Sequence, residues 1–156
     1  MFTLVPSHYF DPATAREALA EVADLKEEDV VEHLDLPQYD AVLVYTVGED
    51  SVVVDGTPEI YKLLTQLQDC PEYTKILCSL CDHRLHLAIA QGENLMLANS
   101  FPVQDFTTAE YYIFLSLKSL QLNPEVSTVC WRTPLDAEDE MSLYRYFKAV
   151  EAAENR

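Results

Sequence analysis

Cys78-Ser79-Leu80-Cys81 matches the C-x-x-C pattern, and His83 and His86 follow closely. These are residue types that bind zinc or carry thiol redox chemistry. Structural metal sites usually hold such a pair on a turn, whereas here it lies inside an apolar run that reads as a strand. Residues three apart on a strand point to opposite faces, so the two sulfurs would not meet at one ion. Cys78, Cys81 and, on another strand, Cys130 therefore read as small apolar core residues, with Cys70 in a loop. A Ser/His/Asp hydrolase has no better footing. There is no G-x-S-x-G elbow, and His8, His33, His83 and His86 occupy dissimilar settings. His86, on a strand face, reads as a hydrogen-bonded core histidine. The sequence leads us to expect no catalytic residue, no metal site and no cofactor.

The elements around these residues are legible. Residues 75–81 are apolar on both faces, which suits a central strand covered on both sides. Asp82-His83 turns the chain into a second strand over 84–90. Gly92-Glu93-Asn94 is a second hairpin turn, leading into a third strand over 95–103. A helix over 108–122 follows, with Thr107 and Glu110 as a capping box and Phe106 stapled onto Tyr111. Tyr111, Tyr112, Phe114 and Leu115 make this helix apolar nearly all round, the pattern of a helix buried on more than one side. The cluster reads first as core, and its excess beyond one face makes a partner surface the leading functional alternative. Asn123-Pro124 stops the helix, and residues 127–132 return as a strand. Crossovers of this kind close right-handed and parallel, which places 127–132 beside 75–81. Two antiparallel hairpins, a crossover helix and a parallel return make a ribonuclease H-like core, an α/β lobe with a mixed sheet and helices on both faces.

The rest of the chain is read with less structure. Residues 2–6 form a short strand, and Asp11 caps a helix with Pro12 at its first position and a stripe of Ala15, Ala18, Leu19 and Val22. Residues 26–39 are acidic and irregular, a surface loop with one turn at Val30-Val31. Residues 41–47 are a strong strand, and Gly48-Glu49-Asp50 turns into 51–54. Thr57 caps a further helix with Pro58 at its first position, burying Ile60, Leu63, Leu64 and Leu67. Leu135 and Asp136 staple and cap a last helix whose Leu143, Phe147 and Val150 lie on the sheet.

At 156 residues one or at most two small domains fit. The net charge of −17, from 27 acids against 10 bases, argues against a nucleic-acid backbone as partner, which needs clustered Lys and Arg. The acidity reads as solubility. No apolar run of 18 residues could span a membrane, and Met1–Pro6 does not open a secretory leader. Four cysteines in a chain of this size suggest a reducing compartment, hence the cytoplasm.

The opening Phe2-Thr3-Leu4-Val5-Pro6 and Tyr9-Phe10-Asp11 carry a resemblance. So do the strand Leu95-Met96-Leu97-Ala98-Asn99-Ser100-Phe101 and the helix Ala109-Glu110-Tyr111-Tyr112-Ile113. Together they resemble domain-of-unknown-function family 3822, uncharacterised Bacteroidetes proteins with an actin-like ATPase fold built from two ribonuclease H-like lobes. The resemblance runs over most of residues 1–147. It implies that residues 1–56 are an incomplete first-lobe remnant and connector, because family members are longer at the front. Residues 57–156 are then a ribonuclease H-like lobe. Between Val47 and Thr57 family members usually have a further helix, where this chain has about ten residues.

The resemblance makes Asp82 the carboxylate of most interest. In actin-like ATPases an acid at the end of the first strand precedes a glycine-rich hairpin that holds phosphate and metal. Glycine is needed there because backbone N–H groups must approach the phosphate closely. This chain has Asp82-His83-Arg84-Leu85 instead, and its glycines, Gly48, Gly56 and Gly92, form no G-x-G or Walker pattern. Asp82, His83 and Arg84 are thus weak candidates for contact with a nucleotide. A two-metal nuclease would need several carboxylates in one place, yet Glu93 lies on the opposite turn and Asp105 beyond the third strand. The expectation is a non-catalytic assembly or adaptor protein acting through protein–protein contacts. It would be a homo-oligomer or require another chain, since the early strands would present an open edge. The alternative is a nucleotide-binding ATPase of the actin-like superfamily.

Overall fold

The computed structural model describes residues 1–47, 53–54 and 57–153. The chain divides into two compact units, Met1–Tyr61 and Lys62–Arg156.

The first unit opens with β1 (Phe2–Pro6) and a 3-10 turn capped by Asp11, whose carboxylate accepts from the Ala13 N–H at 2.9 Å. The turn runs into α1 (Ala15–Ala20). Ala15 and Leu19 are buried as expected, but Val22 lies beyond the helix and is 65% exposed. β2 (Val30–Leu36) and β3 (Ala41–Val47) follow. β3 is the middle strand of the order β1-β3-β2, and both pairings are antiparallel. Val5, Val31, Val42 and Val44 pack with Ala15, Leu19 and Phe10 on one face.

β2 corrects the expected loop over 26–39. Glu32, His33 and Asp35 break its apolar pattern, but an edge strand needs only its backbone to pair and can leave acids in water. Of the expected hairpin after β3, residues 48–52 lie outside the described residues; β4 (Val53–Val54) pairs with β5 (Thr57–Pro58). Thr57 and Pro58 are therefore strand residues, and α2 (Glu59–Gln66) starts one residue later than the cap pattern suggested. Ile60, Leu63, Leu64 and Leu67 are all buried.

The second unit carries the expected mixed sheet. β6 (Thr74–Cys81), β7 (Arg84–Gln91) and β8 (Asn94–Pro102) form an antiparallel meander. α3 (Phe106–Ser119) crosses back to β9 (Thr128–Trp131), which pairs parallel with β6 through Leu77–Cys130 and Cys78–Trp131. α4 (Ala137–Tyr144) leads to β10 (Ala149–Ala152), parallel to β9. The order β10-β9-β6-β7-β8 makes β6 central. Alternation places Ile76, Cys78, Leu85, Leu87, Ile89, Val129 and Trp131 on one face, under Ala109, Ile113 and Leu117 of α3 and Leu143 of α4. Leu77, Ala88, Ala90 and Cys130, on the other face, are also fully buried. The 3-10 turn Leu67–Asp69 that continues α2 lies against β6 and β7.

Two boundaries in this unit differ from expectation. α3 is capped by Asp105, which accepts from the Thr108 N–H at 2.8 Å and its hydroxyl at 2.7 Å. Thr107 is not the cap, and Phe106 turns inward to Trp131, with centroids 5.8 Å apart. Glu110 does not reach back to close a capping box; it bonds to Ser142. Val150 lies in a strand, not in the last helix. Ala and Glu favour helix locally, but pairing along β9 and burial of Val150 outweigh that propensity.

Candidate functional site

β6, β8, β9 and β10 all run in one direction, so their carboxyl ends share one end of the sheet. Open α/β sheets bind ligands at that end. The chain builds it from three connections. The first is the hairpin Asp82-His83, where both residues have positive φ, 49° and 59°, giving the primed turn that a two-residue hairpin requires. The His83 carbonyl accepts from the Val103 N–H at 2.8 Å, which fixes the exit of β8 beside the hairpin. Asp82 and His83 are exposed at the tip, while Arg84 is half-buried and its guanidinium donates to the Ser100 hydroxyl at 3.3 Å.

The second connection is the segment after β9. The Arg132 N–H donates to the Cys78 carbonyl at 2.8 Å, and the Thr133 hydroxyl accepts from the Leu80 N–H at 2.9 Å. The third is the end of β10. A cavity of about 200 Å³ lies between these last two, lined by residues 131–135, Glu140 and residues 150–152. Trp131 lines it, and its ring Nε1–H is a buried donor with no hydrogen-bond partner among the described residues. No sequence motif marks this cavity, because it forms only when β10 lands beside β9.

The candidate residues are thus only partly brought together. Asp82, His83 and Arg84 lie at the end of the sheet where β6 finishes and β7 begins, yet Asp82 joins no group of three metal-binding side chains among the described residues. The C-x-x-C residues behave as alternation requires. Cys78 is in the core under α3 and α4, and burial pushes its thiol well up, with nearby Cys70 adding to the effect. Cys81 is half-buried on the other face, 4.0 Å from the Ser79 hydroxyl. His86 is buried on that face, opposite Ser79 across the β6–β7 pair. Cys70, expected in a loop, follows the 3-10 turn and is buried beside Cys130 and Glu72.

α3 differs from a helix buried all round. Ala109, Ile113 and Leu117 are buried, and Tyr112 stacks on Phe101 at 4.5 Å. Tyr111 and Leu115, one turn apart, are 59% and 47% exposed. Glu110 and Ser142 tie α3 to α4, and Phe114 meets Tyr146 edge-on at 5.0 Å. Met141 and Tyr146, next to these contacts, are 66% and 48% exposed. Tyr111 and Leu115 of α3, Met141 of α4 and Tyr146 just after it are thus large apolar side chains exposed on a strongly acidic chain.

A family model described as protein of unknown function (DUF3822) matches residues 1–150. The chain belongs to that family. This DUF3822 chain also matches a solved structure from Bacteroides thetaiotaomicron VPI-5482, described as a protein with actin-like ATPase fold and unknown function. The TM-score is 0.75 at 17% identity, over 97% of this chain and 64% of that one. The DUF3822 chain therefore spans 64% of that neighbour's length and shares the actin-like ATPase fold. No curated protein matches it. Among its described residues no helix is long and apolar enough to cross a membrane.

Proposed function

We propose that this chain is a non-catalytic assembly or adaptor protein that works through protein–protein contacts, on a scaffold with the actin-like ATPase fold. The observation that carries this reading is the exposure of Tyr111 and Leu115 on a helix whose opposite side is fully packed. Exposed apolar side chains that cluster and add nothing to the core are the usual mark of a partner surface. β1 and β2 are both edges of their three-stranded sheet, and a second chain pairing there is the route to a homo-oligomer. The test is co-purification from the native host with the wild-type chain and with Tyr111→Ser/Leu115→Ser. A partner held by the first and lost by the second supports the reading, and identical partner sets overturn it.

A second reading, a nucleotide-binding ATPase, rests on the strand ends. Asp82, His83 and Arg84 lie at the carboxyl end of β6, and a cavity lined in part by Trp131 lies between the ends of β9 and β10. Against it, the hairpin tip carries two side chains where close approach of backbone to phosphate favours glycine, and the chain's charge of −17 repels an anionic ligand.

A further inference from the structure

Cys70, Glu72 and Cys130 come from a loop and from the middle of a strand, far apart in sequence. Their ligand atoms, two sulfurs and a carboxylate oxygen, lie within 4.8 Å of one another. We propose that these three residues bind a soft divalent cation of the zinc class. Ligand bonds of about 2.3 Å to sulfur and 2.0–2.2 Å to oxygen put neighbouring donors of a tetrahedral ion roughly 3.5–3.8 Å apart. The cluster therefore needs to contract by at most about 1.3 Å to close on the ion.

The fold holds the donors in place before any ion arrives. Cys130 is fixed by pairing on β9, opposite Leu77 of the central strand, and is fully buried. The Cys70 N–H closes the 3-10 turn on the Leu67 carbonyl at 3.2 Å, and Pro71 stiffens the next step. The Lys75 ammonium then donates to the carbonyls of Cys70 and Glu72, both at 2.6 Å, so the loop is wound around a buried cation. Cys70 and Cys130 are at most 2% exposed, and Glu72 is half-buried, which leaves solvent a way in.

Charge favours the same conclusion. Two thiolates and a carboxylate carry −3, and a divalent ion with Lys75 carries +3, so the buried site is neutral when loaded. Binding converts two thiols to thiolates, forms two metal–sulfur bonds and releases two protons to solvent. Thiolate donors select zinc-like ions over magnesium or calcium. Three protein donors leave a fourth tetrahedral position for water. The loaded site would clip the loop before β6 to β9 and tie the entry of the lobe to its sheet.

The test uses the full chain, purified with a non-thiol reductant and freed of metal. Zinc or cobalt is added, and bound metal is counted by native mass spectrometry and by the thiolate-to-cobalt absorption. The expected result is one ion per chain for wild type and for Cys81→Ser. The ion should raise the thermal midpoint, and a chelator should reverse the rise. Cys130→Ser and Cys70→Ser should each lose at least tenfold in affinity. Glu72→Gln, at a half-buried position that does not hold the core, should weaken binding while the chain stays folded. No binding by wild type, or unchanged binding in all three ligand variants, overturns the proposal. So does a Cys70–Cys130 disulfide that persists in the metal-treated protein.

Discussion

The Ser142 hydroxyl donates to both carboxylate oxygens of Glu110, at 3.0 and 2.9 Å, and so ties the last helix to the crossover helix. Burial holds the Glu110 carboxyl above its usual range. Ser142 pulls it back, Asp139 pushes it further up, and Arg145 pulls it down. Between the ordinary glutamate value and this raised one, the folded chain keeps a proton that the unfolded chain has lost. Stability therefore falls as pH rises through that window, and below it the penalty vanishes. Glu110→Gln keeps the shape and an acceptor for Ser142. It should gain on wild type in thermal midpoint as pH goes from roughly 4 to 7. Asp139 is also raised, by burial and then by Asp136 and Glu138, so the slope should shrink without disappearing. An unchanged slope in Glu110→Gln would refute this assignment.

The start of α3 separates two candidate caps. Asp105 is held below its usual range by hydrogen bonds from the Thr108 hydroxyl and N–H. Its stabilising effect is present above the ordinary aspartate value and is lost as pH falls through the lowered one. Asp105→Ala should lower the thermal midpoint at neutral pH, with the difference from wild type closing in strong acid. Thr107→Ala should leave the midpoint unchanged. The reverse ranking in a calorimetric series would show that Thr107 caps the helix.

Neighbouring positions on α3 should respond very differently to truncation. Ile113 is fully buried against the sheet, and Ile113→Ala should cost about 2–5 kcal/mol in urea unfolding. Tyr111→Ser and Leu115→Ser, on the exposed side, should stay within about 0.5 kcal/mol of wild type. A large loss at Leu115 would mean that its side is covered within the isolated chain.

Calorimetry with Mg-ATP should show no binding in the micromolar range, and phosphate release should match buffer. Asp82→Ala should change neither. The hairpin tip carries Asp82 and His83 side chains, and Arg84 is bonded to Ser100. One guanidinium does not offset the acidic field around it. Micromolar binding, or turnover abolished by Asp82→Ala, would establish the ATPase reading instead.

Local pattern determines the meander and the parallel return of the second unit. The two-faced apolarity of β6, the turns at Asp82-His83 and Gly92, and the strand–helix–strand handedness fix a central strand with a parallel return. Each of these signals lies within a few residues, or in a chirality rule that holds for almost any sequence. What the sequence could not supply came from partners distant along the chain. β2 is acidic and irregular as a string of residues, and it becomes a strand because β3 offers a row of backbone donors and acceptors. The segment Ala149–Ala152 would be helix by propensity and is a strand because β9 lies beside it. The C-x-x-C spacing pairs Cys78 with Cys81 in the sequence, and strand alternation separates them. The cysteine cluster is instead Cys70 with Cys130, brought together by β9 pairing to β6 and by a loop closed on Lys75. Spacing along a strand is set by two backbone dihedrals per residue, so it is readable from sequence. Convergence across a sheet depends on register and loop closure, and only the folded chain decides those.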